Sequence, residues 1–158
     1  MSLPLPLYLF LFLFIQVGLS HAADFQAKVI HITDGDTLTI MIEANKRGIV
    51  IHLGAIDCPE IAQAYGNQAK QFTWDLVHGQ RVTINAYDHD GRHLFDVILE
   101  DGRRLSQELV KAGLAWWNFK ISDEAQLGIL EGNAKMAKVG LWNEQNPIPP
   151  WDFRKGKR

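Results

Sequence analysis

The sequence predicts an α+β fold, mainly β: a small five-stranded closed barrel with about three helices packed outside it. Three observations lead there. Five short runs alternate apolar and polar residues at period two. One helical pattern falls between the third and fourth runs, and two more follow the fifth. The turns joining the first three runs are too short for parallel crossovers, so a doubly wound sheet is disfavoured.

The first strand is expected over Phe25–Ile32 (FQAKVIHI), and Asp34-Gly35 turns the chain into the second, Thr37–Ile42 (TLTIMI). The polar stretch Glu43–Gly48 leads to a third, Ile49–Ile56 (IVIHLGAI). Helical spacing takes over from Tyr65 to Gly79. There Ala69, Phe72 and Leu76 share one face, Asn67 is a candidate cap and Gly79 a candidate stop. Strands four and five are Arg81–Tyr87 and His93–Leu99, and Asp90-Gly91 between them is a strong hairpin signal. Leu105–Gly113 reads as a short helix. Ser122–Trp142 reads as a longer one, with Ser122 as N-cap, acids in its first turn, and Lys135 and Lys138 near its end. Strands in this order, with a helix after the third, fit a barrel of the OB type.

Residues 1–22 differ from the rest. They contain no Asp, Glu, Lys or Arg, run apolar from Leu5 to Ile15, and end in Ser20-His21-Ala22, a small-x-small pattern. That is the outline of a cleavable secretory signal, although the usual positive start is missing. The run is shorter than the roughly 20 apolar residues a membrane span needs, and Pro4 and Pro6 break its start. The expected organisation is a signal over 1–22, one domain over 23–144, and a proline-containing basic tail over 145–158. The expected location is secreted or periplasmic, with no membrane attachment once the signal is gone. A formal net charge of −2 is not that of a strongly basic nucleic-acid binder. An anionic partner must then be met by a local positive field or a bound cation. The single cysteine, Cys58, excludes an internal disulfide.

Three acidic loops carry the candidate chemistry: Asp34-Gly35-Asp36-Thr37, Asp57-Cys58-Pro59-Glu60, and Asp88-His89-Asp90-Gly91-Arg92. Each taken singly is ordinary turn chemistry. In a barrel all three can reach one rim. Hard cations such as calcium take oxygens from carboxylates, main-chain carbonyls and water. Asp36 and Asp57 offer two carboxylates, and a carbonyl near Cys58 a third oxygen. One cysteine and scattered histidines do not make a zinc site.

Together and in order, "DGDTLTI", "LGAIDCPE", "YGNQAKQFT", "DGRHL", "LVKAGLAWW" and "AKVGLW" resemble the staphylococcal nuclease family, from about Ala27 to Trp142. The resemblance implies an OB barrel with helices that hydrolyses DNA and RNA with calcium. It implies calcium ligation by Asp36, Asp57 and the carbonyl of Cys58, water activation by Glu60, and phosphate contact by Arg92. By the same correspondence Asp90, Trp117 and Phe119 fall at substrate-binding positions, Asp90 where the family has tyrosine. The family's other catalytic arginine is replaced by His52.

That chemistry is self-consistent. Hydrolysis adds charge to a phosphate already negative; a cation neutralises part of it, a carboxylate takes the water's proton, and a guanidinium holds the rest. Neutral imidazole does not replace a bidentate guanidinium. His52 is therefore a weaker phosphate contact or proton donor, a bystander, or the mark of a site that binds without cutting. Of Trp116, Trp117 and Phe119, two are expected in the core. The terminal "RKGKR" is expected to be solvated. The leading expectation is an exported, calcium-dependent endonuclease on DNA or RNA, monomeric and without a stable protein partner. The rival is a non-catalytic module that binds nucleic acid or another anionic polymer.

Overall fold

The computed structural model describes residues 24–89 and 91–157. The expected leader and the candidate Asp90 lie outside the described residues, as does the side chain of Arg92. The fold is α+β, with strands β1 (Phe25–Ile32), β2 (Thr37–Ile42), β3 (Gly48–His52), β4 (Ile56–Asp57), β5 (Arg81–His89), β6 (Arg92–Ile98) and β7 (Trp116–Trp117). Helices are α1 (Gly66–Val77), α2 (Leu105–Lys111), α3 (Ala125–Ala137) and α4 (Pro150–Phe153), with a 3₁₀ turn at Gly140–Asn143.

One antiparallel sheet runs in the order β3-β2-β1-β5-β6, and β4 pairs with β7 in a separate two-stranded ladder. The large sheet curls until its outer strands meet. Leu53, just past β3, bridges Phe95 of β6 in parallel, and Gly54 N–H donates to the Phe95 carbonyl at 3.2 Å. The seam of this OB-like barrel is that short contact rather than a continuous ladder among the described residues. Inward residues Ala27, Val29, Ile32, Leu38, Ile40, Ile51, Ile84 and Val97 are sealed by Ala69 and Val77 of α1, Leu105 and Leu109 of α2, and Leu127 of α3. A register shift between Val29 and His31 explains why β1 buries 27, 29 and 32 rather than strict alternate residues.

The structure corrects the expected third strand. It breaks after His52, and Ile56–Asp57 pair instead with Trp117 and Trp116. The apolar run gives no sign of the break, because residues 53–59 are all buried as the chain changes ladders. Asn67 is not the cap of α1. The helix starts at Gly66 behind Tyr65, which is left-handed (φ 66°) and makes no capping side-chain bond. Ser122 is not the N-cap of α3; Glu124 holds that place, and Ser122 Oγ accepts its N–H at 3.2 Å. Helix α3 ends at Ala137, short of the expected Trp142, where Lys138 turns left-handed (φ 51°). Four helices form rather than three, because Pro150 starts a further turn in the tail.

A buried ionic network joins α2 and α3 to the barrel. Asp96 is fully buried and accepts from Ser106 Oγ (2.6 Å) and Arg104 Nε (2.7 Å). Arg104 in turn donates to Glu124 at 2.7 Å.

Candidate active site

The loop between β1 and β2 aims one aspartate outward and one inward. Asp34 Oδ1 accepts the N–H groups of Asp36 (3.1 Å) and Thr37 (2.8 Å), so its carboxylate holds the turn. Asp36 is only 3 % exposed, and its Oδ2 accepts the Cys58 N–H at 2.6 Å. Gly35 presses against the next segment: a Cβ there would stand 2.7 Å from Cys58 Sγ and 2.8 Å from Ala69 Cβ. Thr73 of α1 donates to the Gly35 carbonyl at 2.6 Å. Two loops distant in sequence are thereby clamped together on α1.

The second loop leaves β4. Asp57 is buried, with its main chain paired to Trp116. The Cys58 thiol lies in the core, where burial, then the charges of Asp36, Asp34 and Asp57, push it up. It is no thiolate, and the residue meets the site through its main chain. Glu60 is held by its backbone: its N–H donates to Gln63 Oε1 and its carbonyl accepts the Gln63 N–H, each at 2.8 Å. Gly66 abuts that carbonyl so closely that a Cβ would fall 2.0 Å from the oxygen. The Tyr65-Gly66 start of α1 thus sets where Glu60 stands, with its side chain partly exposed.

The electrostatics here would favour a cation. Burial holds the Asp36 carboxyl well above its ordinary range; the Cys58 N–H opposes, and Asp34 and Asp57 push it further up. Two buried carboxylates from separate loops form an all-oxygen set suited to a hard ion. Among the described residues no three His, Cys, Asp or Glu side chains make a ready metal cage. Main-chain and water oxygens would have to complete the shell.

His52 of β3 faces the same point. Its Nδ1 lies 3.0 Å from Thr37 Oγ1 and 3.5 Å from Asp36 Oδ1. Asp36, His52, Asp57, Cys58 and Glu60 therefore come together. Trp116 and Trp117 are half-buried, whereas Phe119 is 60 % exposed beside a depression that Asp57 also lines.

Sequence reasoning missed Arg154. The tail expected to be solvated folds back, and Arg154 closes on both carboxylates. Its Nη2 donates to Asp57 Oδ2 at 2.6 Å; its Nη1 donates to Asp57 Oδ1 at 3.2 Å and to Glu60 Oε1 at 2.7 Å. The tail is tied further back where Gln63 Nε2 donates to the Ile148 carbonyl at 3.0 Å, and Trp151 meets Trp116 edge-on at 5.8 Å. The signal was the aromatic pair Trp151 and Phe153 between Pro149-Pro150 and the basic run, an apolar foot followed by charge.

Residues 50–144 match the family model described as "Staphylococcal nuclease homologue". An "Uncharacterized endonuclease" of Escherichia coli O157:H7 is 35 % identical over 137 residues, covering 85 % of this chain and 88 % of the relative. A "Micrococcal nuclease" of Shigella flexneri is 32 % identical over 149 residues, covering 86 % and 84 %. A staphylococcal-like nuclease of Arabidopsis thaliana is 34 % identical over 110 residues, covering 68 % of this chain and 34 % of that larger protein.

Proposed function

Because the chain belongs to the staphylococcal nuclease family, we propose that it is an exported, calcium-dependent endonuclease cutting phosphodiester bonds in DNA, RNA or both. Nuclease activity at the general level goes with the family; the ion, the polymer and the export are the finer part of the proposal. The observation that carries it is Asp36: a carboxylate 3 % exposed, beside Asp57 and Asp34, on a loop clamped to the segment bearing Glu60. Among the described residues Arg154 answers Asp57, whereas the ion-pair partner of Asp36 is His52 at 3.5 Å, which leaves buried charge for a bound cation to answer.

Calcium, held by Asp36, Asp57 and the Cys58 carbonyl, would neutralise part of the phosphate charge and orient a water. Glu60 takes that water's proton during in-line attack. Arg92 grips the phosphate from the β5–β6 hairpin. His52, next to Asp36, supplies a weaker contact than a guanidinium, which slows the enzyme without abolishing it. Phe119 offers an exposed face on which a base can stack.

The test incubates the purified protein with single-stranded DNA and with RNA, with calcium and with chelator, from pH 5 to 9. Cleavage lost with chelator and in Glu60→Gln supports the nuclease. Binding without cutting under every condition overturns it in favour of a non-catalytic module.

A further inference from the structure

Arg154 is, among the described residues, the cation in hydrogen-bond contact with both Asp57 and Glu60. It comes from the arm of residues 145–157, beyond the segment matched by the family model. We propose that Arg154 is a substrate-phosphate ligand of this site and that the arm forms one wall of the nucleotide groove. The proposal rests on the nuclease reading above.

The guanidinium geometry comes first. Three of its five N–H groups are engaged, two on Nη1 and one on Nη2. The remaining two, Nε–H and the outer Nη2–H, lie on one edge as a parallel fork. That fork is the one that receives two oxygens of a phosphate. Asp57 and Glu60 fix the plane of the group, and the Gln63–Ile148 bond and the Trp116–Trp151 contact fix the arm that delivers it. When an ion takes Asp57, the Glu60 bond and the arm's own ties remain to hold the donor at the site.

The surroundings suit a polyanion. A depression of about 380 Å³ is lined by Arg154 together with Asp57, Asn118, Phe119, Lys120 and Lys155. Arg154 also lines a second depression, with Asp34 and Glu60, so it borders both. Residues 145–158 hold four basic side chains against one acidic, while the rest of the chain is net −5. Of these, Arg154 and Lys155 line the depression, which puts positive charge of an acidic protein beside the groove that must attract phosphate. Arg154 does not plug the site: its side chain is 50 % exposed, that of Glu60 is 37 % exposed, and both depressions stay open.

The experiment compares wild type, Arg154→Ala and Arg154→Lys in calcium-dependent cleavage of single-stranded DNA. In parallel, anisotropy follows binding of a short labelled oligodeoxynucleotide across a salt series, all in the Glu60→Gln background. Thermal melts check that each variant is folded, as a half-exposed side chain on the arm allows. Arg154→Ala is expected to lower kcat/KM by about 10²-fold. The slope of log affinity against log salt should fall by about 0.7, the signature of one phosphate contact on a single strand. Arg154→Lys recovers most of the slope but little of the rate, because a point charge lacks the fork. An unchanged slope overturns the proposal. So does cleavage as fast or faster without Arg154, which would make the arm a plug. Failure of the nuclease reading looks different: a wild type that cuts nothing while its binding keeps an Arg154-dependent slope.

Discussion

Replacing Asp36 by Asn removes one negative charge at nearly constant shape, from a point where burial and two neighbouring carboxylates already resist that charge. Two opposing terms decide the outcome without calcium. The 2.6 Å bond from Cys58 N–H changes from charge-assisted to neutral, which costs about 1 kcal/mol. Against it, the folded state no longer desolvates an anion beside Asp34 and Asp57. The sign follows from the raised carboxyl. A folded state that holds the proton more tightly than the unfolded one loses stability as pH rises above the unfolded value of about 3.8. Below that value both states are protonated and the charge costs nothing. Asp36→Asn should therefore melt no lower than wild type in chelator at pH 7, and its relative gain should shrink toward pH 4.

Calcium should reverse the ranking. An ion that binds only the folded wild type stabilises it by about 2.7 kcal/mol at one hundred times its dissociation constant. For a domain of this size that raises the melting temperature by roughly 10 °C. Calcium must also share or displace Arg154 on Asp57, so the rise is measured at saturating ion. In Asp36→Asn an amide oxygen replaces a carboxylate in the shell, and the rise should fall to less than about a third. Thermal melting by circular dichroism, with calcium and with chelator at pH 4.5 and pH 7, gives all the numbers. A calcium shift in Asp36→Asn as large as in wild type would refute the assignment of this carboxylate to the ion. So would a variant clearly less stable than wild type in chelator at pH 7, which would make Asp36 a structural residue.

Other expectations can be checked independently. His52→Arg places a guanidinium within reach of the same phosphate and should raise the cleavage rate; a fall would show that the imidazole has a task of its own. Asp96→Ala strands Arg104 and Ser106 in the core and should cost about 3–5 kcal/mol by urea unfolding, while a loss below about 1 kcal/mol would mean the network is idle. Burial, then the charge of Asp96, pushes the Tyr87 phenol up to about 12, so its stability contribution holds below pH 10 and declines as pH rises toward 12. Ultraviolet difference titration should find a late-ionising tyrosine that Tyr87→Phe removes together with the alkaline loss.

Much of the barrel was legible because alternation records one buried face, and turns such as Asp34-Gly35 record chain reversals. The break after His52 was not. Ile51, Leu53 and Ile56 are all buried, so the apolar pattern runs on while the chain passes from β2 as partner to β7. That choice is made by Trp116 and Trp117, some sixty residues away. The start of α3 was misplaced for a related reason. Ser122 is the better intrinsic cap, but Arg104 and Gln107 hold Glu124 against α2, and tertiary bonds fix the first turn there. The convergence of Asp36 with Cys58 was inferred from motif order alone. What produces it is the Gly35–Ala69–Thr73 contact with α1, which no local pattern announces.

The arm was the least legible part, and the reason bears on how the site works. A one-turn helix has no stability of its own, so α4 exists only because its neighbours bind it. Its ties reach 85 residues back to Gln63 and 97 back to Asp57. Those ties end on the same loop that positions Glu60. The loop is thus fixed from both sides: by Gly66 and Gln63 within the domain, and by Ile148 and Arg154 from outside it. Without a metal ion, Arg154 also answers part of the negative charge that the two aspartates bring into the core. Gathered carboxylates repel one another, and a tethered guanidinium relieves that repulsion while both depressions stay open. On the proposal above, the contact that makes the acidic cluster tolerable would also be the one that presents the fork to a phosphate.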